Sequence, residues 1–223
     1  MKAVTSNFLR TLSISILVLG LTTPLLAQNQ RIATMAVTSK MDIYRANGYD
    51  DNSDGVAPAV FRFTPRPGQT IEFPAVNGSW ACGAVLPFGP DGSTASPCAP
   101  DNINSPVGPF AGYDTTDFGG ALVGMFLDDT FPVFVRPPLR FYDHDNSEGG
   151  TRTNFLVLSP LIGQVFFIGD GLTGTGDGAR QVFRIPRTAT HLYLGFVDSC
   201  GTVPGCFSDN VGVVVATIQF KIN

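Results

Sequence analysis

The densest run of oxygen-bearing side chains lies near the end of the chain, at Asp198-Ser199-Cys200-Gly201-Thr202-Val203-Pro204-Gly205-Cys206-Phe207-Ser208-Asp209-Asn210. Asp198 closes an apolar run, a Gly/Pro loop follows, and Asp209-Asn210 opens the last apolar run of the chain. That order brings Asp198, Asp209 and Asn210 to one end of a sheet, with loop carbonyls close by. Calcium takes about six to eight oxygens and accepts backbone donors, so the chemistry suits a hard cation. Two carboxylates packed there without an ion would repel each other. The competing use of the same residues is turn formation, for which Asp, Asn and Gly are suited by their backbone tolerance.

A second oxygen-rich motif, Asp50-x-Asn52-x-Asp54-Gly55, copies the first half of a calcium loop, but its closing Glu would fall on Phe61. Asp143, Asp145 and Glu148 form a weaker version of the same pattern. Gly169-x-Gly171-x-x-Gly174 spells a dinucleotide fingerprint, yet Gly176-Asp177-Gly178 and another strand follow it where a helix is required, so it reads as a hairpin loop. The chain contains no G-x-S-x-G elbow, no H-E-x-x-H and no phosphate-binding loop. His144, in an acidic loop, has two uses, a ligand or more commonly a solvated side chain; His191 reads as structural, and Asp128-Asp129 is an ordinary carboxylate pair. The expectation is a protein that binds rather than catalyses.

The elements that must position these residues are strands. Short runs rich in β-branched and aromatic residues are bounded by Gly, Pro, Asn and Asp: Val60–Phe63, Thr70–Phe73, Ala121–Leu127, Gln164–Ile168, Gln181–Ile185, His191–Val197 and Val211–Phe220. Val182 and Arg184 alternate with Phe183 and Ile185, as in a strand with one wet face. The pattern predicts an all-β fold, a single antiparallel β-sandwich of the galactose-binding or jelly-roll type. Leu86–Asp117 and Tyr142–Arg152 lack strand character, and the first is longer than an ordinary connector. No internal repeat divides the chain after its leader.

Residues 1–27 read as a secretory signal: Lys2 and Arg10 begin it, an apolar run from Leu12 to Leu21 follows, and Leu25-Leu26-Ala27 offers a cleavage site before Gln28. The expected organisation is a leader over 1–27 and one domain over 28–223, secreted to a periplasmic, extracellular or surface location. No later segment is long and apolar enough to insert stably in a membrane. Of 223 residues, 25 are Gly, 17 Pro and 18 Phe, and only 14% are charged, which excludes disordered chains, coiled coils and helical bundles. The formal charge is -4, so a basic nucleic-acid-binding surface is not expected. Cys82, Cys98, Cys200 and Cys206 lack zinc spacing and suit two disulfides of an exported protein. Three pairings are open, and Cys82–Cys98 with Cys200–Cys206 is preferred.

Several pieces in order resemble the bacterial PA-I galactophilic lectin family, calcium-dependent galactose binders with a β-sandwich fold. They are Pro67-Gly68-Gln69-Thr70-Ile71, Gly78-Ser79-Trp80-Ala81-Cys82-Gly83 with Phe88-Gly89-Pro90-Asp91-Gly92, Gly120-Ala121-Leu122-Val123, and Pro204 to Gly212 preceded by Asp198. The resemblance runs from about Val60 to Ile218, with insertions near Thr130–Pro160 and around Gly201. It implies calcium ligands at the side chains of Asp198, Asp209 and Asn210 and at the carbonyls of Cys82 and Cys206. Asp209 stands where the family usually has Asn. Placing Cys82 and Cys206 on one ion also admits a disulfide between them.

In the family the ion accepts two vicinal sugar hydroxyls. The resemblance therefore implies sugar contacts at Asp198, Ser199 and Asp209, and at Ser96 and Pro97, the latter two replacing the family's His-Pro pair. The Gln that follows in the family is Ala99 here. Trp80 has two uses, a sugar-stacking ring or a core side chain. The resulting expectation is a secreted, calcium-dependent, galactose-type carbohydrate-binding protein, with a homo-oligomer as one permitted state. The alternative is a calcium-stabilised structural or adhesive surface module without a sugar ligand, in which Tyr142–Arg152 and Leu86–Asp117 contact protein.

Overall fold

The computed structural model describes residues 31–83, 87–94, 101–115, 118–142, 151–173 and 176–222. The leader expected over 1–27 lies outside these residues, as do Ser96, Pro97, Cys98, Ala99, and the Asp143, His144, Asp145 and Glu148 group.

The described chain is mostly strand, with two 3-10 turns, Ile43–Gly48 and Phe207–Asp209. The strands are β1 (Ile32–Thr38), β2 (Ala59–Arg62), β3 (Gln69–Cys82), β4 (Asn102–Ile103), β5 (Tyr113–Thr115), β6 (Val123–Leu127) and β7 (Leu139–Tyr142). They continue with β8 (Thr151–Arg152), β9 (Val157–Leu158), β10 (Val165–Phe167), β11 (Val182–Arg184), β12 (His191–Gly195) and β13 (Asn210–Ile222). No helix among the described residues is long and apolar enough to cross a membrane.

Strand β13 organises the largest sheet, ordered β1-β13-β3-β11-β9. Its sequence is β-branched and alternates cleanly: Val214, Ala216, Ile218 and Phe220 are buried, while Val211, Val213 and Val215 face outward. That period of two is what one buried sheet face requires. β13 pairs antiparallel with β1 from Thr38↔Val213 to Ile32↔Gln219, and with β3 from Asn210↔Cys82 to Ile222↔Gln69. A second sheet runs β10-β6-β12-β2 and is antiparallel throughout.

Phenylalanines join the layers. Phe220 of β13 meets Phe63 and Phe61 at centroid distances of 5.2 and 5.3 Å. Phe183 of β11 meets Phe166 of β10 at 5.3 Å, and Trp80 of β3 meets Phe196 beyond β12 at 6.2 Å. Each such ring, fully buried, contributes about 1.5–3 kcal/mol by leaving water, and each well-set pair about 0.5–1.5 kcal/mol more. Phe61, Phe63, Phe166, Phe183 and Phe220 therefore supply much of the contact between these two sheets, whereas Phe131 and Phe134 are exposed.

Several sequence expectations need correction. β1 has no counterpart in the expected strand set. Thr70–Phe73 is only the start of β3, which continues through Pro74 and Gly78 to Cys82. Gly78 punctuates the sequence like a loop residue, but at φ 122° it lets the strand pass β13, where a Cβ would come within 2.2 Å of the Val213 carbonyl oxygen. A third sheet, β4-β5-β7-β8, draws two strands from the supposedly strandless Leu86–Asp117 stretch and one from the end of Tyr142–Arg152. Its β5–β7 and β7–β8 pairings are parallel, as is β9–β11, so the fold is not purely antiparallel. These strands are two to four residues long, too short for periodicity to register.

Candidate functional site

The site forms where β12 ends, β13 begins and β3 ends. β12 is buried along its whole length and continues through buried Phe196 and Val197 to half-buried Asp198. The loop that follows is cinched. Cys200 and Cys206 form a disulfide with their Cα atoms 5.6 Å apart, Cys200 N donates to Val203 O, and Gly205 N donates to Asp198 O at 3.1 Å. Cys206, with φ 69°, turns the chain into the 3-10 turn Phe207–Asp209. The carboxylate oxygens of Asp54 accept from Phe207 N and Ser208 N, each at 2.9 Å. Fully buried Phe207 anchors the turn from below, and Asn210 then starts β13.

Asn210 is the centre of the site. It is 2% exposed and lies opposite Cys82 in the sheet register. Its Nδ2 donates to Asp198 Oδ2 at 2.7 Å and to Ser39 O at 3.2 Å, whereas its Oδ1 is buried and accepts nothing from any described residue. Gly83 N donates to Asp209 O at 3.1 Å, which ties the end of β3 to the turn. Of the residues singled out from sequence, Asp198, Ser199, Asp209, Asn210, Cys82 and Cys206 are thus gathered at one sheet end. Ser96 and Pro97 lie outside the described residues.

A cavity of about 10 Å³ opens behind Asn210, lined by Trp80, Cys82, Asp101, Gly120, Asp198 and Asn210 among others. That volume is of the order of one water molecule or one small ion. Asp101 was not singled out from the sequence. It is 4% exposed, and its carboxylate accepts from Gly120 N. Burial, and then the charge of Asp198, hold its pKa well above the usual carboxylate range. Asp198 is itself pushed up to about 6, first by burial, with Asp209 and Asp54 adding to the shift and donors from Asn210 and Ser199 opposing it. Trp80 is 3% exposed, so its ring is a core side chain and not a surface for sugar stacking, and its Nε1 also lacks a partner among the described residues.

The donor chemistry fits a cation. Two carboxylates and an amide oxygen border the cavity. Asp198 accepts from Asn210 Nδ2 and Asp101 from Gly120 N, so the Asn210 Oδ1 is the one of the three left without a donor among the described residues, which is costly for a buried acceptor. Among the described residues, no three His, Cys, Asp or Glu side chains form a metal cluster by themselves.

The other oxygen-rich motif is differently used. Asp50 Oδ1 accepts from Asn52 N and pairs with Arg45 at 3.2 Å, while Asp54 holds the Phe207–Asp209 turn. Cys82 is disulfide-bonded, and since Cys206 pairs with Cys200, the Cys82–Cys206 bridge admitted by the resemblance is excluded. Cys98, the expected partner, lies outside the described residues.

No protein-family model, curated protein or solved structure matches the chain.

Proposed function

We propose that the protein is an exported, calcium-dependent carbohydrate-binding module of the PA-I galactophilic lectin kind. In this reading, residues 1–27 are a cleaved leader and residues 28–223 form one lectin-like domain, in which the sheets β1-β13-β3-β11-β9 and β10-β6-β12-β2 make the sandwich. The observation that carries it is the orphaned, buried Oδ1 of Asn210 beside the carboxylates of Asp198 and Asp101. Asp198, Asn210 and Cys82, which border the cavity, would hold the ion through two side chains and a carbonyl, together with the Asp209 side chain and the Cys206 carbonyl from the adjoining exposed turn. A bound calcium supplies open coordination positions for sugar hydroxyls. Asp198 and Asp209 would accept hydrogen bonds from those hydroxyls, and the Ser199 backbone would border them.

A second reading, a calcium-stabilised adhesive module without a sugar ligand, is favoured by one sequence observation. Ser96 and Ala99 stand where the resemblance calls for His and Gln, so half of the polar sugar contacts are missing. In neither reading does a side-chain set perform catalysis.

Thermal unfolding in EDTA against millimolar calcium tests the cation. An ion at about a hundred times its Kd adds about 2.7 kcal/mol to the native state. For a domain of this size, that raises the midpoint by about 5–10 °C. Asp198→Ala with Asp209→Ala should abolish the gain. Identical curves in EDTA and calcium would refute the reading. Terbium offers a direct check, because Trp80 is the only tryptophan in the sequence and lines the cavity. Excitation of its indole should sensitise terbium emission, and calcium should quench it. Restoring Ser96→His and Ala99→Gln then separates the two readings by whether galactose affinity rises.

A further inference from the structure

At the opposite ends of the strands that frame the cation site lies a larger pocket of different character. β13 runs from Asn210 to Ile222 and β3 from Cys82 back to Gln69, so the two sites are about 40 Å apart along the strands. The pocket encloses about 390 Å³, within the range of small-molecule sites. Phe63, Phe220 and Ile222 line its apolar part, with the two phenylalanine rings 5.2 Å apart, and Arg31 and Arg66 line its polar part.

The Arg31 side chain and the Arg66 backbone are held in place, and neither guanidinium meets a counter-charge among the described residues. The Arg31 guanidinium lies 4.7 Å from the centroid of the Phe61 ring. Arg66 sits between Pro65 and Pro67 in a turn closed twice, by Gln69 N donating to Arg66 O and Arg66 N donating to Gln69 Oε1, both at 3.1 Å. Neither guanidinium has a carboxylate within ion-pair distance among the described residues; Arg62, Arg136, Arg184 and Arg187 share that condition, but only Arg31 and Arg66 line this pocket. In a chain of net charge -4, two such guanidinia on one pocket are not explained by general surface charge. Thr64 and Gln69 add neutral polar groups to the same wall.

From this we infer a second binding site, independent of the cation site, that takes a small amphipathic organic anion. Its carboxylate, sulfonate or phosphate head pairs with Arg31 and Arg66, and its apolar body covers Phe63, Phe220 and Ile222. A planar guanidinium suits such a head because it can present two parallel N–H donors. The aromatic wall supplies the rest of the affinity by burying apolar area.

The test uses anilinonaphthalene sulfonate as a fluorescent probe on the protein in EDTA, so that failure of the cation reading does not affect it. The expected result is saturable one-to-one binding, displaced by dodecanoate but neither by inorganic phosphate nor by dodecanol at equal concentration. Arg31→Ala and Arg66→Ala should each weaken probe binding by about tenfold, in proportion to one charged hydrogen-bonded contact. Both residues are exposed, so Arg66→Ala should leave the thermal midpoint of the free protein unchanged and Arg31→Ala should lower it by about 1–4 °C through its cation–π contact with Phe61, which keeps loss of binding separable from unfolding. Equal displacement by dodecanol would show that the head group is irrelevant and would overturn the proposal. So would displacement by phosphate alone, or undiminished probe affinity in the folded double variant.

Discussion

Replacing Asp42 by asparagine should flatten the pH dependence of stability. Asp42 is fully buried where the chain leaves β1 for the turn Ile43–Gly48. Its Oδ1 accepts from Tyr44 N at 2.8 Å, and its Oδ2 accepts from Ser53 Oγ at 2.6 Å. Burial first, and then the hydrogen bond and charge of Asp51, raise its pKa from 3.8 to about 8, against the donors Ser53 and Tyr44. Because the folded-state value is raised, the native state holds a proton that the unfolded chain has already lost between about pH 4 and 8. The stability this proton confers is fully present below about pH 4 and declines as pH rises towards 8.

At about 1.36 kcal/mol per unit, the ceiling on the loss from about pH 5 to about pH 8 is about 4 kcal/mol. Proton sharing with Asp51 reduces it, so about 2–3 kcal/mol is expected from this group. The wild-type midpoint should then fall by about 5–10 °C over that range on account of Asp42 alone. In Asp42→Asn the amide oxygen still accepts from Tyr44 N, and the amide nitrogen is a permanent donor in place of the acid proton. Urea titrations in EDTA at several pH values, on both proteins, measure the effect. Asp101 and Asp198 contribute equally to both curves and cancel in the difference. Parallel pH profiles for the wild type and Asp42→Asn would refute the reasoning.

Three further outcomes are expected. Gly120→Ala should destabilise strongly and shift the Trp80 emission, since Gly120 has φ 67° and a Cβ there would lie 1.8 Å from the Trp80 ring; an unchanged spectrum and midpoint would contradict this. Cys200→Ser with Cys206→Ser should cost about 2 kcal/mol for so short a loop, read as a drop in the urea midpoint, and should weaken any terbium signal by loosening Asp209. Phe220→Ala should cost about 3–5 kcal/mol, because its ring joins β13 to Phe61 and Phe63, and a loss below about 1 kcal/mol would mean that the two sheets do not depend on it.

Much of the fold was legible in the sequence because it rests on local patterning. Alternation in β13, the buried run of β12 and the Phe-rich short segments identify strands wherever a strand is long or apolar enough to show its period. The clustering of Asp198, Asp209 and Asn210 was legible for a related reason: an apolar run ends at Asp198, another begins at Asn210, and the short loop between them keeps the two ends close. β1 was not legible because it is an edge strand with one buried side chain, Val37, so its two faces differ little in hydrophobicity. The β4-β5-β7-β8 sheet was not legible because its strands are too short to show a period and two of its pairings are parallel. The full length of β3 was not legible because Pro74 and Gly78 interrupt its pattern, although Gly78 is where β3 and β13 approach closely.

What only the tertiary structure decided is the chemistry of burial. Asp101 stands among turn-forming residues and does not stand out in sequence, yet packing beside Trp80 and Gly120 places it on the Asn210 cavity and raises its pKa. Arg31 and Arg66, separated by 35 positions, meet on one pocket only because β1, β13 and β3 lie side by side in one sheet. Residue types determine which groups can ionise or donate; whether each one finds a partner depends on distances that no local pattern records.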